Sequence, residues 1–195
     1  MTTTMNAFNR VSENDARPLL VLDIDQTLLF AATSPLTQPC DYRAERTWIY
    51  KRPYVDAFLH FCMLHFQIAV WTSARASYAE EIFSQVFNYL SLIFIHSERH
   101  CLEKKDINGQ LVSLKPLQKT CKYGFTLNRV LVIDDSKEKH SLNPDNLILI
   151  SPYNALVEDN ELRLLKNYLN TIKHQTNFLN INKQNWHQTS NCQVS

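Results

Sequence analysis

Only two glycines, Gly109 and Gly124, occur in the 195 residues, so a glycine-rich loop cradling a phosphate is excluded. No stretch approaches the ~20 apolar residues needed to span a bilayer, and the polar first 17 residues lack the apolar core of a secretory signal. The five cysteines (Cys40, Cys62, Cys101, Cys121 and Cys192) are odd in number and irregularly spaced, with no CxxC pair. That argues against a zinc knuckle, a thioredoxin-like centre or a disulfide framework, and for a reducing compartment. The histidines show no HExxH pattern, so no zinc site is expected. A net charge of +1 and a pI near 7.7 exert no overall pull toward nucleic acid or membrane.

What is present is ordinary globular material, 45% hydrophobic and 20% charged, in a length that suits one domain with a sizeable core. Leu19 to Ile24 is a near-continuous apolar run, the pattern of a central parallel strand covered on both faces. Further strands are predicted at Trp48–Tyr50, Gln67–Trp71, Leu92–Ile95, Val130–Ile133 and Leu147–Ile150. Helices are predicted from Pro53 through Met63, from Ala76 to Tyr89, briefly after Pro116 until Gly124, and from about Asp159 with Leu162, Leu165, Leu169 and Ile172 as its packing stripe. Asn108-Gly109 marks a hairpin in the polar excursion between His96 and Leu114. Short strands alternating with helices define a doubly wound α/β domain with a central parallel sheet. The expected organisation is a flexible segment at 1–17, one domain at 18–179 and a flexible Asn- and Gln-rich tail at 180–195 in which Trp186 is the one residue suited to docking.

Ligands of open α/β sheets bind outside the carboxyl ends of the strands. Here the first strand ends in Asp23-Ile24-Asp25-Gln26-Thr27, the Gln67–Trp71 strand in Thr72-Ser73 and the Val130–Ile133 strand in Asp134-Asp135, while Lys115 opens the segment before the last of these. A single acid at a strand end commonly caps a helix or stays solvated. Four acids after apolar strands repel one another and call for a cation, and an all-oxygen ligand set suits Mg²⁺. The expected chemistry is phosphoryl transfer. Asp23 attacks phosphorus, and Asp25 protonates the leaving oxygen and later takes a proton from water. Thr72 and Ser73 bind phosphoryl oxygens, and Lys115 neutralises charge. Asp135 is the expected direct metal ligand, Asp134 the holder of Lys115 or of a metal-bound water, with Thr27, Arg52 and Arg75 in support.

These residues resemble the haloacid-dehalogenase-like (HAD-like) superfamily, in particular its branch of RNA polymerase II C-terminal-domain phosphatases, also called the NLI-interacting-factor-like family. The DxDxT motif reads Asp23-Ile24-Asp25-Gln26-Thr27, the second motif Ile68 to Thr72, the third Lys115-Pro116-Leu117 and the fourth Val130 to Ser136, with Arg52-Pro53 before the second. The likeness runs from about Leu19 to Tyr153. It implies a HAD-like Rossmannoid three-layer sandwich, Asp23 as nucleophile, Asp25 as acid and base, and a Mg²⁺ shell of Asp23, the backbone carbonyl of Asp25 and Asp135. Gln26 stands where the best-known members often have Glu, Asp135 where several have Asn, and Ser97 to Cys101 matches the family's arginine- and cysteine-containing segment only loosely.

Leu28 to Ile49 spans about twenty residues and His96 to Leu114 is equally modest, so only a small flap or hairpin can cover the site. An open site suits phosphoserine or phosphothreonine in a protein, which the resemblance also implies. Trp48, Tyr50, Trp71 and Tyr78 are candidates for an aromatic peptide surface, although such residues usually belong to the core. A small-metabolite phosphatase of the same superfamily is the alternative, and a noncatalytic protein-binding scaffold or a phosphoacceptor receiver domain is a further one. Expected partners are phosphoproteins, not nucleic acid or membrane, and a monomer suffices. The expected location is a soluble intracellular one, cytoplasmic in a bacterium and open to the nucleus in a eukaryote.

Overall fold

The computed structural model describes residues 15–44, 47–105, 107–155 and 158–191; the segment 1–14 and Cys192 lie outside them. In chain order the strands are β1 (Leu19–Leu22), β2 (Leu29–Ala32), β3 (Tyr42–Arg43), β4 (Trp48–Lys51), β5 (Gln67–Trp71), β6 (Leu92–His96), β7 (Leu102–Lys105), β8 (Leu111–Leu114), β9 (Val130–Asp134) and β10 (Leu147–Leu149). The helices are α1 (Val55–His65), α2 (Ala76–Gln85), α3 (Glu161–Ile172) and α4 (Trp186–Asn191), with a 3₁₀ helix at Leu117–Tyr123.

β10, β9, β1, β5 and β6 form one sheet in that order, every pair parallel. The continuous apolar run of β1 follows from its central place, because successive side chains enter two different cores. Leu20 and Leu22 pack with Ile68, Val70, Leu131 and Ile133 against the apolar faces of α1, α2 and α3. Leu19 and Val21 face the other way, with Trp71, Phe94, Leu117 and Phe125. Each fully buried Leu or Val contributes roughly 1.5–3 kcal/mol, so the register of β1 is set on both faces. The fold is an α/β HAD-like Rossmannoid sandwich, with three α-helices on one side of the sheet and the 3₁₀ segment on the other.

The insertions are small, as their lengths required. β2, β4 and β3 make a three-stranded antiparallel sheet after the first motif. β7 and β8 pair as a hairpin whose turn contains Gly109 at φ 78, a left-handed conformation that glycine adopts without a Cβ penalty. α2 ends sooner than its sequence pattern predicts. The N–H of Phe87 reaches back five residues to Ile82 O at 3.2 Å, tucking the fully buried Phe87 ring under the core. The N-terminus of α3 takes its cap from Asp159, whose Oδ1 accepts the Glu161 N–H at 3.0 Å. Within the Asn- and Gln-rich tail, Trp186 is buried and its indole N–H donates to Leu149 O at 2.8 Å, which fastens α4 to the edge strand.

Candidate active site

Parallel pairing puts the ends of β1, β5 and β9 side by side, and this alignment assembles the site. The Asp23 N–H continues the ladder, donating to Ile133 O at 3.0 Å. Beyond it the chain turns sharply. Leu28 N–H returns to Ile24 O at 2.8 Å, and Gln26 adopts a left-handed φ of 60, a backbone state that costs a non-glycine residue about 1–2 kcal/mol. The turn lifts Asp25 away from the sheet while leaving Asp23 buried.

Lys115 is wholly buried between two carboxylates, 2.6 Å from Asp23 Oδ1 and 2.5 Å from Asp134 Oδ2. Burial alone would lower the lysine pKa, but the two aspartates outweigh it and raise it. Asp134 has no free oxygen. Its Oδ2 also bonds Nε2 of buried His140 at 2.9 Å, and its Oδ1 accepts the Ser136 N–H at 2.9 Å with Lys139 Nζ 3.8 Å away. Against the upward push of burial, Lys115 and His140 hold the Asp134 carboxyl well below the usual carboxylate range.

The remaining three acids shift the other way. Burial raises Asp23, opposed by Lys115 and reinforced by Asp134. It raises Asp25, opposed by the hydroxyl of Tyr78, which donates to Asp25 Oδ1 at 2.6 Å. Asp135 is pushed up to about 6 by burial, with the charges of Asp134 and Asp23 adding to it against Lys139. Asp23, Asp134 and Asp135 present carboxylate oxygens all within 4.8 Å of one another, the one convergent group of three or more His, Cys and acidic residues among those described. Asp135 Oδ1 is buried without a hydrogen-bond partner. An oxygen-only cluster with an orphaned carboxylate oxygen fits a hard divalent cation. Both oxygens of Asp134 already have partners in Lys115, His140 and Ser136, whereas Asp135 Oδ1 has none.

Thr72 lies on the same edge. Its Oγ1 accepts the Ala74 N–H at 3.0 Å, which leaves its own O–H to donate to a phosphoryl oxygen. Ser73 Oγ and Thr27 Oγ1 are buried without partners. Arg52 is buried and engaged. It pairs with Asp159 at 2.7 Å and donates to Ser151 O at 2.8 Å and Thr27 O at 3.3 Å, so it ties the back of the DxDxT turn to the 151–159 segment. Arg75 stands exposed at the N-cap of α2. Of the four aromatics considered for a peptide surface, Tyr50 and Trp71 are core residues, Trp48 is half-buried, and Tyr78 instead bonds Asp25. His140 and the Tyr78 contact were missed in the sequence. In the sequence Lys137-Glu138-Lys139 reads as an exposed helix start or a binder of a substrate anion, and no motif marks a histidine six residues after an aspartate. His96 and His100 do fall four apart and stack at 4.2 Å, but no third ligand joins them among the described residues.

A five-stranded parallel sheet with an Asp-Lys-Asp centre at its carboxyl edge and only small insertions defines the HAD-like class. Residues 18–179 match the NLI interacting factor-like phosphatase family, and the chain belongs to it. It is 30% identical over 76% of its length to the mitochondrial import inner membrane translocase subunit TIM50 of Kluyveromyces lactis, covering 28% of that protein. It is 26% identical over 87% of its length to CTD small phosphatase-like protein 1 of Caenorhabditis elegans, covering 34% of that protein. Among solved structures, the fission yeast RNA polymerase II CTD phosphatase Fcp1 superposes with a TM-score of 0.54 at 21% identity, over 78% of this chain and 45% of the other; this likeness is one of fold. The chain thus spans about a third of the length of these two curated relatives. No helix among the described residues is long and apolar enough to cross a membrane.

Proposed function

We propose that this protein is a Mg²⁺-dependent phosphomonoesterase that works through an aspartyl-phosphate and acts on phosphoserine or phosphothreonine in proteins. The observation that carries the reading is Lys115 held between Asp23 and Asp134, beside the orphaned oxygen of Asp135. Asp23, Asp135 and the backbone carbonyl of Asp25 would hold the ion. A Mg²⁺ bound there supplies positive charge that lowers the repulsion between a carboxylate nucleophile and an anionic phosphoryl group.

Asp23 Oδ attacks phosphorus as the ester P–O bond breaks, and the Asp25 carboxyl gives its proton to the departing oxygen. The raised pKa of Asp25 keeps that proton available nearer neutrality, and Tyr78, bonded to Oδ1, leaves Oδ2 for the transfer. In the second half, Asp25 takes a proton from water as the water oxygen attacks phosphorus and the P–Oδ bond to Asp23 breaks. Lys115, the Thr72 hydroxyl and Ser73 stabilise the charge on the phosphoryl oxygens. The short flap and hairpin leave room for a phosphorylated side chain on a polypeptide. Phosphate release from phosphopeptides exceeding that from sugar and nucleotide phosphates, blocked by EDTA and abolished by Asp23→Asn, is the expected result. Full activity in Asp23→Asn would overturn the nucleophile, and faster turnover of metabolites would overturn the substrate class.

A noncatalytic scaffold is the second reading, favoured by the likeness to a translocase subunit. The presence of both DxDxT acids, Thr72, Lys115 and Asp135 speaks against it. Absence of Mg²⁺-dependent phosphate release from every substrate, with intact folding, would favour the scaffold.

A further inference from the structure

A cleft of about 820 Å³ begins at Asp135 and extends between β10 and the C-terminal segment as far as His187, a size typical of ligand sites. Its far wall, Asn180 to His187, lies beyond the residues that the family model matches. That wall is fixed in place by the Trp186 bond to Leu149 O at 2.8 Å. Leu149 and Leu179, both lining the cleft, are 41% and 37% exposed, and Ile181 lines it with them.

Two cations line the same cleft without a carboxylate in ion-pair range among the described residues. Lys137 is exposed just past Asp135. Lys183 is only 6% exposed, and its ammonium donates to Phe178 O at 2.6 Å and Ile181 O at 2.8 Å. Two of its three donors are thereby used. Lys183 has no direct ion pair, only the more distant Asp145 acting on its charge against the cost of burial, and an incoming carboxylate would offset the remainder. The acids in the lining are Asp135, which belongs to the metal cluster, and exposed Asp145.

Resting on the protein-substrate reading above, we propose that this cleft is the subsite for the residues flanking the phosphorylated side chain. It takes an apolar side chain against Leu149, Leu179 and Ile181 and an acidic one facing Lys137 and Lys183. Continuity with the catalytic edge at Asp135 makes the substrate polypeptide its occupant. A small phosphomonoester would fill only the Asp135 end.

The test uses the full chain with Mg²⁺ and measures kcat/KM on p-nitrophenyl phosphate and on matched phosphoserine peptides. One set carries a leucine and a glutamate on the N-terminal or the C-terminal side of the phosphoserine; its match carries alanine and glutamine. The leucine–glutamate peptide on one side should be preferred about tenfold. Leu149→Glu and Lys137→Glu, both surface changes, should each lower the ratio of peptide to p-nitrophenyl phosphate kcat/KM by roughly tenfold, through KM. Lys183→Gln should do the same where it folds. Equal rates across the matched peptides and an unmoved ratio in the two surface variants would overturn the subsite alone. Hydrolysis of p-nitrophenyl phosphate with none of any phosphopeptide would remove the protein-substrate reading and the subsite with it.

Discussion

The phenol of Tyr78, on α2, donates a 2.6 Å hydrogen bond to Oδ1 of Asp25, on the turn after β1. It links the second motif's helix to the acid proposed to move protons, and it opposes the upward push of burial on that acid. Tyr78→Phe should therefore raise the Asp25 pKa further. Protonation of the leaving group is preserved, whereas removal of a proton from water is impaired. We expect kcat to fall about tenfold or more, part of the ~10²–10⁴-fold range of general acid–base effects, with a pre-steady-state burst as aspartyl-phosphate accumulates. Rapid-quench kinetics indistinguishable from wild type would refute the role.

Lys115→Met leaves Asp23 and Asp134 facing each other in a dry site. Breaking a buried ion pair by removing one partner costs about 3–5 kcal/mol, and charge stabilisation of the transition state is lost with it. Denaturant unfolding of the metal-free protein should show the stability loss, and turnover should drop at least ~10²-fold. A variant as stable as the parent would contradict the paired geometry.

Asp135, pushed up to about 6, sets a pH signature of the metal-free protein. Its folded pKa lies above its unfolded one, so the fold favours the protonated form. That stability is complete below the unfolded value of 3.8 and is lost as pH rises through about 6. Asp135→Asn removes the titration. Its Tm relative to wild type should climb between pH 4 and pH 7 without metal, at about 2–4 °C per kcal/mol for a chain of this size, and excess Mg²⁺ should reverse the advantage by stabilising wild type. A pH-independent difference would refute it. Asp134 has the opposite sign, losing its contribution as pH falls below 3.8.

Arg52 is the fourth case. Its guanidinium is bidentate to Asp159 and also reaches Ser151 O and Thr27 O, a fork that an ammonium cannot reproduce. Arg52→Lys should destabilise the protein by about 1–3 kcal/mol, the cost of leaving a buried acceptor unsatisfied, and lower kcat through the displaced DxDxT turn. Wild-type stability with weakened phosphate affinity would instead make Arg52 a phosphate ligand.

The sheet was legible in the chain because parallel strands covered on both faces demand uninterrupted apolar runs, and Leu19–Leu22 and Val130–Ile133 have no other use. The acids followed from the same logic, since a strand end in an α/β sheet opens on the ligand edge. His140 was not legible. Its burial depends on Lys115 N–H bonding Lys139 O at 2.8 Å, a contact across 24 residues of sequence that folds the KEKH run against β8 and turns one of its polar residues inward.

The order of acids, hydroxyls and lysine along the chain determined by itself which groups reach the site and that oxygen ligands dominate it, because local hydrophobic patterning dictates where strands end. Which of those groups touch was decided only by tertiary packing. Asp134 and Asp135 are neighbours in sequence, yet one is saturated by Lys115, His140 and Ser136 and the other keeps an unpaired oxygen. β9 ends at Asp134, so Asp135 lies on the bend beyond it and meets different surroundings, and no local pattern states what waits on either side.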